Sequence, residues 1–180
     1  MERIAALGLK GIKIHPVYQG ADLDDVRYLR ILDKCGQLGL IVIAHTGLDI
    51  GFPGKVNCTP AMARRAIKSV GPVKLVLAHM GGWFYWDEVV DTLADTDAYI
   101  DTSHSLGILN RVGVEPLQML RDERFVDIVR GFGAHRVLFG TDSPWGGQQE
   151  ELAHIRTLDL TEEEKRMILG DNAASLLGLA

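Results

Sequence analysis

Four apolar stretches of this sequence stop at a residue able to hold a metal ion or carry a proton. They read Ile12-Lys13-Ile14-His15, Ile43-Ala44-His45, Leu77-Ala78-His79 and Leu138-Phe139-Gly140-Thr141-Asp142. Imidazole nitrogens and a carboxylate oxygen gathered at one place suit a divalent cation that keeps a position open for water or substrate. A single histidine after an apolar run is more often a hydrogen-bonded strand end. His45, His79 and Asp142 repeat the placement three times, which favours function over coincidence, although Asp142 alone could cap the next turn.

Lys13 lies two residues before His15, so both point to the same side of a strand. A lysine inside a parallel sheet is costly unless paired, which makes Lys13 a candidate for holding an anionic group. A fifth run ends Tyr99-Ile100-Asp101-Thr102-Ser103-His104. There His104 is a candidate for the same mouth, and Asp101 reads equally as a loop acceptor. Gly81-Gly82 suits a tight turn that brings backbone close to a ligand. Trp83, Phe84, Tyr85 and Trp86 form an aromatic group that can wall a pocket or pack. His135 and His154 fall in or beside helical stretches and read as surface residues.

These residues need elements to position them. The five runs, Leu9–His15, Leu40–His45, Val73–His79, Ala98–Thr102 and Arg136–Asp142, start 25 to 38 residues apart. Helical periodicity fills the intervals over Asp24–Leu38, Pro60–Val70, Trp83–Ala94 and Leu117–Phe132. Thr59 is placed to cap the second of these, with Pro60 in its first turn. Thr161 and Glu164 have the spacing of a capping box, and Asn172–Leu179 is a short amphipathic end. Runs such as Ile41-Val42-Ile43-Ala44 do not alternate with polar residues, as expected of parallel strands buried on both faces. The fold class is therefore α/β, read as one domain over residues 1–180. Active sites collect at the C-terminal strand ends of such folds.

Composition excludes several classes. With 47% hydrophobic residues in 180, the chain can bury a sizeable core. Twenty-four acidic against 19 basic residues give a net charge of −5 without blocks, and no basic stripe supports a nucleic-acid partner. No apolar run reaches the roughly 18 residues of a membrane span, and no signal-peptide pattern opens the chain. A cytoplasmic protein is the expectation. Cys35 and Cys58 form no metal-like pair, and Cys35 reads as a reduced, packed thiol. Gly47–Gly54 has no phosphate-loop pattern.

At Gly11-Ile12-Lys13-Ile14-His15-Pro16, Ala44-His45-Thr46-Gly47, Ala78-His79-Met80-Gly81-Gly82, Asp101-Thr102-Ser103 and Phe139-Gly140-Thr141-Asp142-Ser143-Pro144-Trp145 the sequence resembles the amidohydrolase superfamily. The likeness is to its amidohydrolase-2 group of TIM-barrel enzymes, and the closing Asn172–Leu179 stretch is similar to that group's ending. The resemblance implies a partial (β/α)8 barrel, about five βα units corresponding to strands four to eight. It implies a divalent metal, zinc first, with manganese, iron and nickel also suited. His45 and Asp142 are its implied ligands, and His79 a further ligand or the group that polarises substrate and metal-bound water. Asp142 is the implied proton acceptor. The group's strand-one His-X-His pair occurs nowhere in this chain. A whole barrel takes about 250 residues, so roughly three βα units are expected to precede Met1–Leu7, which looks like a helix tail.

The leading expectation is a metal-dependent hydrolase. Asp142, His79 and Lys13 would be catalytic, and His15, Lys13, Trp83, Ser143 and His104 would bind a small, carboxylate-bearing substrate. A decarboxylase of an aromatic or unsaturated carboxylic acid is the alternative, because the same ligands serve both reactions. A metal-dependent nuclease or phosphotriesterase is disfavoured, since no Glu follows Lys13 to bridge two metals. A catalytically incomplete half-barrel with a binding role is the non-enzyme alternative. An opened barrel exposes strand edges, and a homo-oligomer that covers them is expected.

Overall fold

The computed structural model describes residues 1–111 and 114–179, which divide into two compact units, Met1–Asp101 and Thr102–Ala180. In the first unit, helix α1 (Glu2–Ala6) leads to β1 (Gly11–Ile14), the short α2 (Pro16–Gln19) and α3 (Val26–Gln37). Then follow β2 (Ile41–Ala44), α4 (Pro60–Ser69), β3 (Lys74–Leu77), α5 (Trp86–Leu93) and β4 (Tyr99–Asp101). The strands lie in the order β1-β2-β3-β4, all parallel. Gly11 pairs with Ile41, Ile41 with Lys74 and Val76 with Tyr99.

The register explains the burial. Ile14, Val42, Ala44, Leu75, Leu77 and Ile100 share one face of the sheet and are all buried. The helices supply the other half of this core through Leu32 and Cys35, Ala63 and Ala66, and Val89 and Leu93. α3 packs on β2, and α4 on α5. Helices α3 and α4 start where a side chain satisfies one of the first amides. Asp25 accepts from the Arg27 amide at 2.8 Å, and Thr59 from that of Met62 at 3.2 Å with Pro60 following.

The second unit opens with an antiparallel pair, β5 (Ile108–Arg111) and β6 (Val114–Gln118). α6 (Asp122–Phe132) and a single 3-10 turn (Ala134–Arg136) lead to the two-residue β7 (Val137–Leu138). α7 (Gln148–Thr157), α8 (Glu162–Arg166), a π-turn over Met167–Asp171 and α9 (Asn172–Leu177) close the chain. Phe125, Ile128, Val129 and Phe132 form the apolar stripe of α6, all buried. The capping box at the start of α8 is present: Thr161 Oγ1 accepts from the Glu164 amide, and Glu164 returns a carboxylate to the Thr161 amide at 2.7 Å.

Two expectations are corrected. The helix expected over Leu117–Phe132 begins at Asp122, because Leu117 and Gln118 belong to β6 and pair with Leu109 and Ile108. The strand expected over Arg136–Asp142 is confined to Val137–Leu138. The other strands and helices fall inside their expected spans, shorter by one to three residues at an end. Both cysteines are free and buried. No described helix is long and apolar enough to cross a membrane.

Candidate metal centre

Three histidines of the first unit converge. His15 follows β1 directly, and His45 follows β2 at the same level. Their rings stack at 4.1 Å with an interplanar angle of 11°. Tyr18 from α2 stacks on the outer face of His15 at 3.9 Å, so the His15 ring is held between two others. Its backbone is fixed as well: the His15 amide donates to Gln19 Oε1 at 3.1 Å, and that oxygen also accepts from the buried Tyr28 hydroxyl.

His45 is buried and makes two contacts that set its tautomer. Its Nε2 lies 3.0 Å from the Leu48 carbonyl, which can only accept, so Nε2 carries the proton. Its Nδ1 then accepts from His79 Nε2, also at 3.0 Å. Burial, reinforced by the neighbouring His79 and His15, pushes the His45 imidazole down to about 3. It is therefore neutral at physiological pH, the form that can bind a metal.

His79 sits in an unusual turn. His79, Met80 and Gly81 all have left-handed backbone, at φ 60°, 54° and 80°. For the non-glycine His79 and Met80 this costs on the order of 1 kcal/mol each and persists where surroundings hold them. Here Asp101 holds them: its Oδ1 accepts from the His79 amide at 3.0 Å and its carbonyl from the Met80 amide at 2.7 Å. Trp86 Nε1 donates to the His79 carbonyl at 3.0 Å. The turn after β2 is locked to the turn after β3. Gly47 and Trp83 bridge, with Trp83 N donating to Thr46 O and Leu48 N to Trp83 O, each at 3.0 Å.

One member of the cluster was outside the expected site. Asp49, on the loop after His45, places Oδ2 3.2 Å from His15 Nε2 and 4.0 Å from His45 Nε2. Its side chain is only 12% exposed, and its other oxygen accepts from the Gly51 amide at 2.6 Å. The four-residue spacing from His45 was the single sequence signal, and a weak one on an aperiodic loop. One donor atom each from His15, His45 and Asp49 lies within 4.8 Å of the others, so two imidazoles and a carboxylate fit a divalent cation.

The other expected residues have settings of their own within each unit. Lys13 is exposed on β1. Trp83 is buried, and its ring meets Phe84 at 4.7 Å. Asp101 serves as the acceptor for the His79 turn. Asp142, Ser143 and His104 belong to the second unit. Asp142 there is exposed at φ 54° and Ser143 is exposed, while His104 is half-buried at φ 48°.

The chain as a whole has counterparts among known proteins. The curated 2-amino-3-carboxymuconate-6-semialdehyde decarboxylase of Dictyostelium discoideum is 28% identical over 201 residues, 98% of this chain and 55% of that protein. The crystal structure of a dihydroxybenzoic acid decarboxylase from Polaromonas sp., with bound manganese and the inhibitor 2-nitroresorcinol, superposes with a TM-score of 0.70 at 17% identity. That match covers 99% of this chain and 64% of the other. A 5-carboxyvanillate decarboxylase from Sphingomonas paucimobilis gives a TM-score of 0.67 at 21% identity over 98% of this chain and 61% of its own. The chain thus spans a little over half the length of its curated relative, and its fold is part of a (β/α)8 barrel. The sequence model of the Amidohydrolase family matches residues 1–179, and the chain belongs to that family.

Proposed function

We propose that this chain carries the metal-binding half of a decarboxylase acting on a small aromatic or unsaturated carboxylic acid. The observation that carries the reading is the neutral, buried His45 joined to His79 and flanked by His15 and Asp49, in a chain whose curated relative and several of whose structural neighbours are decarboxylases. That likeness favours loss of CO2 over the hydrolysis first expected. A metal ion bound there, zinc or manganese, would supply a positive centre that polarises the substrate and binds its anionic oxygens.

The protein's own groups would do the rest. Lys13 and His15 would orient the substrate carboxylate, with Trp83 as a further contact. Decarboxylation breaks the bond between carbon and carboxylate, CO2 leaves, and the electron pair stays on the substrate carbon, which then takes a proton. His79 would deliver that proton through Nε2, the atom it already presents to His45.

Two assays test this. The chain, loaded with Mn2+ or Zn2+, is incubated with 2,6-dihydroxybenzoate and 5-carboxyvanillate, and released CO2 is measured. Turnover that falls at least about 100-fold in His79→Asn supports the reading, the range typical of a lost general acid. Hydrolysis of an ester or lactone without CO2 release would return the site to the hydrolase class. No turnover of either kind would deny this chain the activity.

A further inference from the structure

We infer that Asp101 and Trp86 are positioning residues for His79: together they clamp both polar groups of its backbone and so aim its Nε2 at His45. The inference rests on the reading above, in which His79 delivers a proton, and it adds two residues that touch no reacting atom.

The clamp closes from two elements. Asp101, the last residue of β4, accepts from the His79 amide on Oδ1 at 3.0 Å. Trp86, the first residue of α5, donates from Nε1 to the His79 carbonyl, also at 3.0 Å. Register makes the first contact possible, because β3 and β4 pair Leu77 with Ile100 and so bring the residues that follow them side by side. The Asp101 carbonyl accepts from the next amide, that of Met80, at 2.7 Å. Packing under the turn leaves little slack: a Cβ on Gly81 would stand 3.0 Å from Ile100 Cγ2 and 3.1 Å from Val89 Cγ1.

A turn of this kind does not by itself call for histidine. Glycine takes a left-handed backbone without strain, as Gly81 does two residues on at φ 80°. Histidine at position 79 costs on the order of 1 kcal/mol. Its ring is nevertheless buried, with Nε2 3.0 Å from His45 Nδ1. The strained backbone therefore serves to place an imidazole, and such strain persists only where neighbours enforce it. In an ordinary right-handed or extended conformation the Cα–Cβ bond of His79 would point elsewhere, and its ring would leave His45.

The clamp asks of Asp101 an acceptor and not a charge. Asp101→Asn keeps the acceptor and removes the charge, whereas Asp101→Ala removes both and leaves the amide of a buried residue unmet. An electrostatic role for Asp101 would instead make asparagine as damaging as alanine. The Trp86 side is the weaker jaw, because the Gly82 amide also donates to the His79 carbonyl, at 3.2 Å.

The experiment reads the His45–His79 hydrogen bond itself, as the 15N–15N coupling across it in the labelled chain. Alongside, CO2 release from 2,6-dihydroxybenzoate is measured with the Mn2+-loaded chain. We expect the coupling in wild type and in Asp101→Asn, and its loss in Asp101→Ala. In Asp101→Ala kcat should fall at least about 10-fold with KM within about twofold, the mark of a displaced group and not of a lost substrate contact. Asp101→Asn should recover kcat to within about threefold, since only the charge assistance to one hydrogen bond is gone. Trp86→Phe should weaken the coupling and lower kcat about fivefold, the equivalent of one ordinary hydrogen bond. A coupling that survives in Asp101→Ala, or is lost equally in Asp101→Asn, overturns the clamp, and so does a wild-type chain that shows none. Where amide spectra show Asp101→Ala unfolded, Trp86→Phe decides, and an undiminished coupling there overturns the clamp. Couplings that follow the expected pattern with no CO2 released by any form keep the clamp and remove the decarboxylase reading.

Discussion

The two units place their ionisable strand-end residues in opposite surroundings. In the first, β1, β2 and β3 each run four residues and are followed within two residues by His15, His45 and His79, of which the last two are buried. In the second, β7 has two residues, and Asp142 stands four residues beyond it, exposed. A buried imidazole must have its hydrogen bonds met, so the first unit surrounds His45 and His79 with carbonyls, amides and one another. Asp142 is instead exposed to solvent, and its carbonyl accepts from the Trp145 and Gly146 amides. Fixed side-chain geometry is therefore a property of the histidine cluster, which lies in residues 15 to 101.

The sharpest way to break this contrast is to add one methyl group to each turn. A Cβ on Gly47, at φ 88°, would stand 2.1 Å from the backbone nitrogen of Trp83. A Cβ on Gly146 would stand 2.0 Å from the Thr141 carbonyl oxygen. The overlaps match, but Gly47 is buried and adds left-handed strain, whereas Gly146 lies among exposed residues that can shift. Gly47→Ala is expected to cost about 4 kcal/mol, combining overpacking with backbone strain. Gly146→Ala should cost about 1 kcal/mol, the lower end for overpacking alone. Urea unfolding measures both, and equal losses would mean that the Asp142 turn is as rigid as the histidine turns.

How much of this could be read beforehand follows the same division. His45 and His79 were legible because each ends an uninterrupted apolar run whose burial carries its last residue inward, and His15 because it ends the matching run broken only by Lys13. Thr59 and Thr161 were legible because caps act on amides two or three residues away. Asp49 was not, since its meaning comes from His15, 34 residues earlier and across the β1–β2 register. The β5–β6 pair was missed for a related reason. Leu117 fits the apolar spacing of α6, and only pairing with Leu109 assigns it to a strand. Pro116 within that strand is tolerated because a two-stranded pair leaves each strand one free edge. For Lys13, period-two geometry gave the side of the strand but not the degree of exposure, which depends on what else covers that face.

The units also differ in how they keep an ionisable group out of water. His45 is buried with two partners, but Glu151 on α7 has a buried Oε2 with no hydrogen-bond partner among the described residues. Burial pushes the Glu151 carboxyl up to about 7 from an ordinary 4.5, with His154 nearby opposing. Between these values the folded chain keeps a proton that the unfolded chain has lost, so stability falls as pH rises from 4.5 to 7 and stays reduced above. The loss should be on the order of 2 kcal/mol, after discounting for the solvent that reaches this partly exposed side chain. Glu151→Gln should remove that slope and leave the protein more stable than wild type at pH 8. Thermal unfolding at pH 5 and pH 8 gives the comparison, and a variant that keeps the wild-type slope would show that Glu151 finds a partner in solution.

The smallest effect probes whether the units hold their helix ends alike. Thr59 makes a single cap contact in a half-buried setting, whereas Thr161 shares a reciprocal pair with Glu164 at the surface. Replacing either threonine by alanine leaves one first-turn amide without its acceptor and should cost about 1 kcal/mol. Amide exchange can localise that cost, because end-fraying is a local opening. Thr59→Ala should speed exchange at Met62, and Thr161→Ala at Glu164, by roughly fivefold each, the rate equivalent of 1 kcal/mol. Thr161→Ala also disturbs the carboxylate that returns from Glu164, so the Thr161 amide should exchange faster in that variant, a change with no counterpart at Thr59. If Thr59→Ala instead speeds exchange across β2 and β3 as well, the cap is coupled to the histidine turns through the loop that joins Gly47 to Cys58, whose amide and carbonyl meet at 2.8 Å. That outcome would extend the rigid region from the cluster itself to the helix that follows it.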